Sequence, residues 1–252
     1  MSNINCVCTT PDVFPAYQKN WQSLDTLKIP YKLIVDISKD KIEYPSIFGF
    51  TEADIRKNLN FNKDVSKNHW WNCQGNRNIV WFYAHFRMLN FYLQHPNYDY
   101  YWFFDDDVIV TDWTKFFAGF ENDNSDFISH FCFKNVGVAD QRNVPVIDSN
   151  TCSGSLWFQR FPGDGDVLPN NVNKLFGSFF DIVRFSNRAL KELLYINEGG
   201  HSGYSEGFVP TMLNASGMKL NTILKADNTS DFIDVTKVEL IHKGIKTNWQ
   251  WI

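Results

Sequence analysis

The feature that most constrains this chain is the run Tyr100-Tyr101-Trp102-Phe103-Phe104-Asp105-Asp106-Asp107-Val108-Ile109-Val110, in which five aromatic residues lead directly into three adjacent carboxylates. Burying the aromatics is favourable. Burying three like charges beside them is not, because an ionised carboxylate desolvated without a partner costs several kcal/mol or takes up a proton. The run predicts a buried strand, Asp99 to Phe104, that delivers Asp-x-Asp to its carboxyl end, where hard oxygen donors suit a divalent cation and a cation suits a phosphate. The plain alternative is a solvated acidic turn.

The neighbouring sequence sets this strand in an alternating series. Ile4 to Thr9 reads as a strand, and Tyr17, Trp21, Leu24 and Leu27 recur at helical spacing after it. Pro30 ends that helix, and Tyr31 to Val35 reads as a second buried strand closing on Asp36. A βαβ unit of this kind implies a parallel sheet. Residues 41 to 75 look irregular, with a short helix after Thr51. From Arg77 the spacing of Ile79, Phe82, Phe86, Leu89 and Leu93 predicts a helix ended by His95-Pro96-Asn97. Further strands are expected over Asp126 to Phe133, Ser153 to Phe158, Ser178 to Phe185, Lys219 to Leu224 and Phe232 to Leu240. A helix capped by Ser186 carries Leu190, Leu193 and Leu194 inward. A shorter helix runs from Glu206 to about Ala215, with Gly217 as its stop.

Several classes fall away on composition. With 24 Lys+Arg against 28 Asp+Glu and a net charge of -4, there is no basic excess to neutralise a nucleic-acid backbone, so no nucleic acid is expected as a partner. The first residues lack the regions of a signal peptide, and no apolar stretch approaches the roughly 20 residues of a membrane span. A cytoplasmic protein is expected, with Trp249 and Trp251 as candidate points of peripheral contact with a membrane surface. Cys6, Cys8, Cys73, Cys132 and Cys152 are an odd, scattered set that argues against a disulfide framework. Cys6 and Cys8 share one face of a strand as small buried residues, with zinc binding as the alternative.

Three spaced segments carry a resemblance. Pro30-Tyr31-Lys32-Leu33-Ile34-Val35-Asp36, then Arg77-Asn78, then Tyr98 through Asp107 resemble the donor half of GT-A glycosyltransferases over roughly the first 110 residues. The resemblance implies an α/β chain with a Rossmann-like three-layer sandwich around a central, mostly parallel sheet. It also implies one GT-A domain over 1–252, with a nucleotide-sugar donor half at 1–110 and an acceptor half at 111–252. Thr9, Thr10 and Asp36 would lie near the base and Arg77 near base or diphosphate. Asp105 and Asp106 would lie on the donor, and Asp105 and Asp107 on Mn²⁺ or Mg²⁺. Where many members have a second Asp and a Gly after the strand-two Asp, this chain has Ile37 and Ser38.

In the second half, Ser205-Glu206-Gly207 resembles the acidic helix start at which such enzymes take a proton from the acceptor. A carboxylate there is held by backbone N–H groups, and the glycines before it let a sugar approach. Ordinary helix capping is the alternative, and Glu198 a substitute base. His242 resembles the late histidine that completes the metal shell, with Lys243 or Lys246 toward the diphosphate. His201 and Tyr204 are candidate acceptor contacts. Trp70, Trp71 and Trp157 are candidate sugar platforms, although a Trp is more often core.

The implied activity is metal-dependent transfer of a hexose or N-acetylhexosamine from a nucleoside diphosphate sugar, UDP-sugar favoured. The acceptor would be a glycan or glycolipid hydroxyl in polysaccharide biosynthesis of a bacterial type, with inversion if Glu206 is the base. Haloacid-dehalogenase-like phosphatases also use Asp-x-Asp, but in the first strand. A nucleotidyltransferase needs a Gly-rich, Lys-bearing loop that is missing here. A carbohydrate-binding protein that uses its metal without catalysis is the remaining alternative.

Overall fold

The computed structural model describes residues 2–10, 14–38, 46–60, 83–130, 132–135, 168, 169, 172, 174–225, 229–242, 245 and 246; for 132–135, 242, 245 and 246 it describes the backbone alone. The chain begins with β1 (Asn3–Thr9), α1 (Phe14–Thr26) and β2 (Tyr31–Asp36), the βαβ unit expected from its sequence. Then come β3 (Ile47–Phe50), α2 (Glu52–Asn58), α3 (Ala84–Gln94), β4 (Tyr100–Asp105), β5 (Val108–Val110) and α4 (Trp113–Gly119). The second half holds β6 (Phe127–Ser129), β7 (Cys132–Asn135), β8 (Leu175–Ser178), β9 (Ile182–Ser186), α5 (Asn187–Glu198) and α6 (Ser205–Ala215). It closes with β10 (Leu220–Thr222), β11 (Leu240–His242) and β12 (Ile245–Lys246).

The main sheet has seven strands in the order β10-β6-β9-β4-β1-β2-β3. Every neighbouring pair is parallel except those made by β9, which runs against β4 and β6. This is the expected mostly parallel α/β sheet, covered on both faces. Strand alternation divides the aromatic run of β4 between them: Tyr101 and Phe103 join one core with Cys6, Cys8, Phe86, Leu190 and Phe208, while Trp102 and Phe104 join the other with Trp21, Leu24, Trp113 and Phe116. Helices α2, α3, α5 and α6 therefore cover one face and α1 and α4 the other, giving three layers. Trp102 packs edge-on against Phe120 at 4.9 Å, and Phe104 against Trp113 at 4.9 Å, so aromatic contacts hold the strand that ends in the acidic triplet. Cys6 and Cys8 are buried free thiols, as expected from their alternation.

Several expected elements come out differently. The strand expected over Asp126–Phe133 is two: β6 lies in the main sheet and β7 pairs with β8 in a separate ribbon. The strand expected over Ser178–Phe185 likewise breaks, because β8 belongs to the ribbon and β9 to the main sheet, and Asp181 at the junction turns its carboxylate back onto the Ile182 N–H at 2.9 Å. From Phe232 to Glu239 the chain turns about Asp234, whose carboxylate accepts from the Thr236 N–H and hydroxyl, and only Leu240 onward is strand. Strand β3 was hidden in the segment read as irregular, whereas α2 starts at Thr51 as read, with a full capping box to Asp54. Leu27 is exposed because α1 ends at Thr26, and Lys28 then turns with φ 56°; Leu93 is exposed on the last turn of α3.

Candidate active site

Strands β1, β2 and β4 run side by side, with Thr9 level with Val35 and Cys8 level with Asp105, so Thr9, Asp36 and Asp105 all lie at the carboxyl edge. Strand order departs in opposite directions from β1, toward β2 and β3 on one side and β4 on the other. The gap between β1 and β4 is thus the topological switch point at which open α/β sheets hold ligands. His130, just past β6, and Asp181, just before the reversed β9, lie at the same edge.

The triplet divides among different partners. Arg87 of α3, a buried guanidinium, donates from Nη2 to Asp105 Oδ1 at 2.6 Å. Thr9 donates its hydroxyl to Asp106 Oδ2 at 2.5 Å, the Asp106 N–H donates to the Cys8 carbonyl at 3.1 Å, and Asn20 of α1 donates to the Asp106 carbonyl at 3.0 Å. Asp106 is thereby tied to β1 and α1 as a supporting carboxylate. Burial pushes it up to about 7, and Asp105 and Asp107 add repulsion against the opposing Thr9 bond and Arg87 charge. Asp107 is half-buried at the head of the turn into β5. Strand β11 pairs with β5 so that His242 stands opposite Val108, the residue after Asp107. The backbone of His242 thus lies beside the strand that follows the triplet. Among the described residues no group of three or more His, Cys, Asp or Glu has metal-ligand geometry; the His242 side chain is outside them.

Glu206 occupies the first turn of α6, where the helix dipole favours an anion. Its placement is overdetermined. Pro210 inside α6 lacks the N–H that would bond the Glu206 carbonyl four residues back, and the Ser178 hydroxyl of β8 donates to that carbonyl at 3.3 Å instead. Thr211 exchanges side-chain bonds with the Phe176 N–H at 2.9 Å and carbonyl at 3.2 Å, pinning α6 along β8. Ser205 Oγ accepts the His85 N–H at 3.2 Å and meets the His85 ring at Nδ1 at 2.8 Å, fixing the helix start against α3. The Glu206 carboxyl accepts from the Tyr204 hydroxyl and the Phe180 N–H. Although the residue as a whole is half-buried, burial of its carboxyl pushes it up to about 7; the Tyr204 bond opposes this, Asp181 adds repulsion, the Phe180 N–H opposes, and Asp105 adds repulsion. The candidate base and the Asp-x-Asp strand therefore share one electrostatic environment.

The other expected residues are less concentrated. Asp36 Oδ1 accepts the Ser38 N–H at 2.9 Å, the turn-capping role. Thr9 spends its hydroxyl on Asp106, and the Thr10 carbonyl accepts the Phe14 N–H at 3.0 Å to start α1. His201 is half-buried in the loop before α6, where Gly200 takes φ 82°. Tyr204, the other candidate acceptor contact, has a buried ring and donates its hydroxyl to Glu206. Arg77, Lys243, Trp70, Trp71, Trp157, Trp249 and Trp251, and the strand expected over Ser153–Phe158, lie outside the described residues, as does the side chain of Lys246.

Sequence reasoning missed Arg87, Asp181 and two histidines. Arg87 is the one charged residue in the sequence from Ala84 to Gln94, and a lone Arg between Phe86 and Met88 was a readable sign of a buried charge awaiting a carboxylate. His130 and Asp181 meet at 2.7 Å, both buried, but are 51 residues apart, and no spacing announces them. Burial holds His85 down to about 3, so it is neutral where it meets Ser205.

No family model matches the chain, and no curated protein matches it in sequence. Among solved structures it is similar to the galactosyltransferase LgtC in complex with donor and acceptor sugar analogs, with 8% identity over 88% of this chain and 73% of that one, at a TM-score of 0.40. An active-site mutant of LgtC gives 8% identity over 88% and 72%, at a TM-score of 0.43. The protein A197 from STIV gives 12% identity over 96% and 85%, at 0.34. No helix among the described residues is long and apolar enough to cross a membrane.

Proposed function

We propose that this chain is a metal-dependent glycosyltransferase of the GT-A class that moves a sugar from a nucleoside diphosphate donor, UDP-sugar favoured, to a glycan or glycolipid hydroxyl. The observation that carries this reading is the convergence of Glu206, Asp181 and the Asp105–Asp107 strand end at the switch-point edge of the sheet, close enough for their charges to act on one another. The segment 1–110 supplies the donor side and 111–252 the acceptor side. Asp36 and Thr10 are close to the nucleoside at the ends of β2 and β1, and Arg77 and Lys243 approach the diphosphate.

The donor set fits Mn²⁺ or Mg²⁺ in kind, as hard carboxylate oxygens beside Asp106 and Glu206, which burial first and neighbouring carboxylates second push up to about 7. Asp107, with Asp105 and His242, would hold the ion. When bound, it neutralises the charge that develops on the leaving diphosphate. Asp105 is oriented by Arg87, and Asp106 keeps β1 and β4 in register beneath the donor. Glu206 removes the acceptor proton, and a carboxyl pushed up to about 7 is matched to that task near neutral pH. A base on the face opposite the leaving group gives inversion.

A thermal-shift screen tests the reading. UDP or GDP should raise Tm in the presence of Mn²⁺ or Mg²⁺ and leave it unchanged in EDTA. Stabilisation by calcium with free sugar, and none by nucleotide, would replace the transferase with a carbohydrate-binding protein.

A further inference from the structure

We propose that Tyr204 is a positioning residue whose phenolic hydroxyl, donated to Glu206 Oε2, orients that carboxyl and stabilises its ionised form for proton abstraction. The inference rests on the reading of Glu206 as the base and adds what makes that base usable. Two independent observations carry it. The first is the hydrogen bond itself, between a buried phenol and a carboxyl two residues on. The second is where Tyr204 stands. It is the N-cap residue of α6, a position that favours Ser, Thr, Asp or Asn, and it makes no capping bond with its side chain. A tyrosine there forgoes the local stabilisation of a cap, and the hydroxyl is spent instead on the one acidic residue of the first turn.

The groups around Glu206 show why such a donor matters. From the β8–β9 connection come Asp181, paired with His130, and the Phe180 N–H; from β4 comes Asp105, paired with Arg87; from α3 comes His85, kept neutral by burial and joined to Ser205. Burial disfavours a negative charge on Glu206 most, and Asp181 and Asp105 add to this. The Tyr204 hydroxyl and the Phe180 N–H favour it, and of these two only the hydroxyl belongs to a side chain that substitution removes. With its hydroxyl so used and its ring buried, Tyr204 orients the base and does not stack on a sugar.

The test is Tyr204→Phe, which deletes one oxygen. Glu206 is titrated by carbon-13 NMR in glutamate-labelled protein, with Glu206→Gln assigning the signal. The titration midpoint should rise by about one pH unit in Tyr204→Phe, the size expected for one lost hydrogen bond to a charged group. The acid limb of the kcat profile should move by the same amount, with donor KM unchanged and the high-pH plateau nearly recovered. An unmoved midpoint, or a loss of kcat equal at all pH values, overturns the proposal. As a second measurement, Tyr204→Phe should change the pH dependence of Tm in the native background and leave it unchanged in the Glu206→Gln background; equal changes in both overturn it. Because NMR and Tm need no turnover, a moved midpoint in a protein that transfers no sugar supports the pairing and discards the transferase reading, whereas an unmoved midpoint in an active enzyme does the reverse.

Discussion

The two edges of the main sheet treat their carboxylates differently: the amino edge pairs both Asp123 and Asp126 with arginines, whereas at the carboxyl edge Arg87 pairs with Asp105 and neutral groups meet Asp106 and Glu206. At the amino edge, Asp123 accepts from the buried Arg184 guanidinium. Asp126 accepts from Arg188 at 3.0 and 2.5 Å, the Ser186 hydroxyl at 2.9 Å and the Lys219 N–H at 2.9 Å. Burial works to raise Asp126, but these donors outweigh it and hold the group below the usual carboxylate range. At the carboxyl edge, Asp106 and Glu206 are met by neutral donors, the hydroxyls of Thr9 and Tyr204 and the Phe180 N–H, and both are pushed up to about 7. The first edge is a finished structural network. The second stores unfavourable charge, as sites do when they await a cation or a proton transfer.

Substitutions should separate the two edges. Asp107→Asn removes the carboxylate proposed to hold the metal and should lower transfer roughly a thousandfold or more, in steady-state assays with saturating Mn²⁺, while unfolding stability barely changes. A large loss of stability with retained turnover would make the carboxyl edge structural after all. Arg184→Ala should do the converse. It leaves Asp123 buried and uncompensated and should cost about 3–5 kcal/mol in urea unfolding with kcat unaffected at temperatures where the protein stays folded. The smallest effect is on pH dependence. A carboxyl raised from its ordinary 4.5 to about 7 keeps its proton in the folded state after the unfolded chain has lost it. The folded state therefore binds more protons in that window, and stability falls as pH rises from about 4.5 to about 7. Glu206 should account for at most about 3 kcal/mol of this fall, and Glu206→Gln should flatten it.

Legibility followed sequence separation. The ends of β1, β2 and β4 were readable because each is a short apolar run stopped by Thr or Asp, and the βαβ alternation makes such ends coincide. Glu206 was readable as an acid at a helix start beside glycines. His130 and Asp181 were not, because a pair 51 residues apart on strands of opposite direction has no local signature. Tyr204 was readable only as a candidate acceptor contact, because its burial and its bond to Glu206 depend on how the helix start packs. The breaks at His130 and Asp181 were invisible for a related reason: apolar runs continue across both, and a change of sheet is a change of partner, not of propensity.

What the sequence by itself determined is the parallel α/β core and the strand that carries an acidic triplet to its edge, since period, turn residues and the cost of burying charge are local quantities. What only the tertiary structure decided is how the triplet is arranged: Arg87 on Asp105, Thr9 on Asp106, and Asp107 at the head of the strand that pairs with the one bearing His242. Hydrogen bonds and desolvation depend on which distant groups arrive within a few ångströms, and that is set by packing.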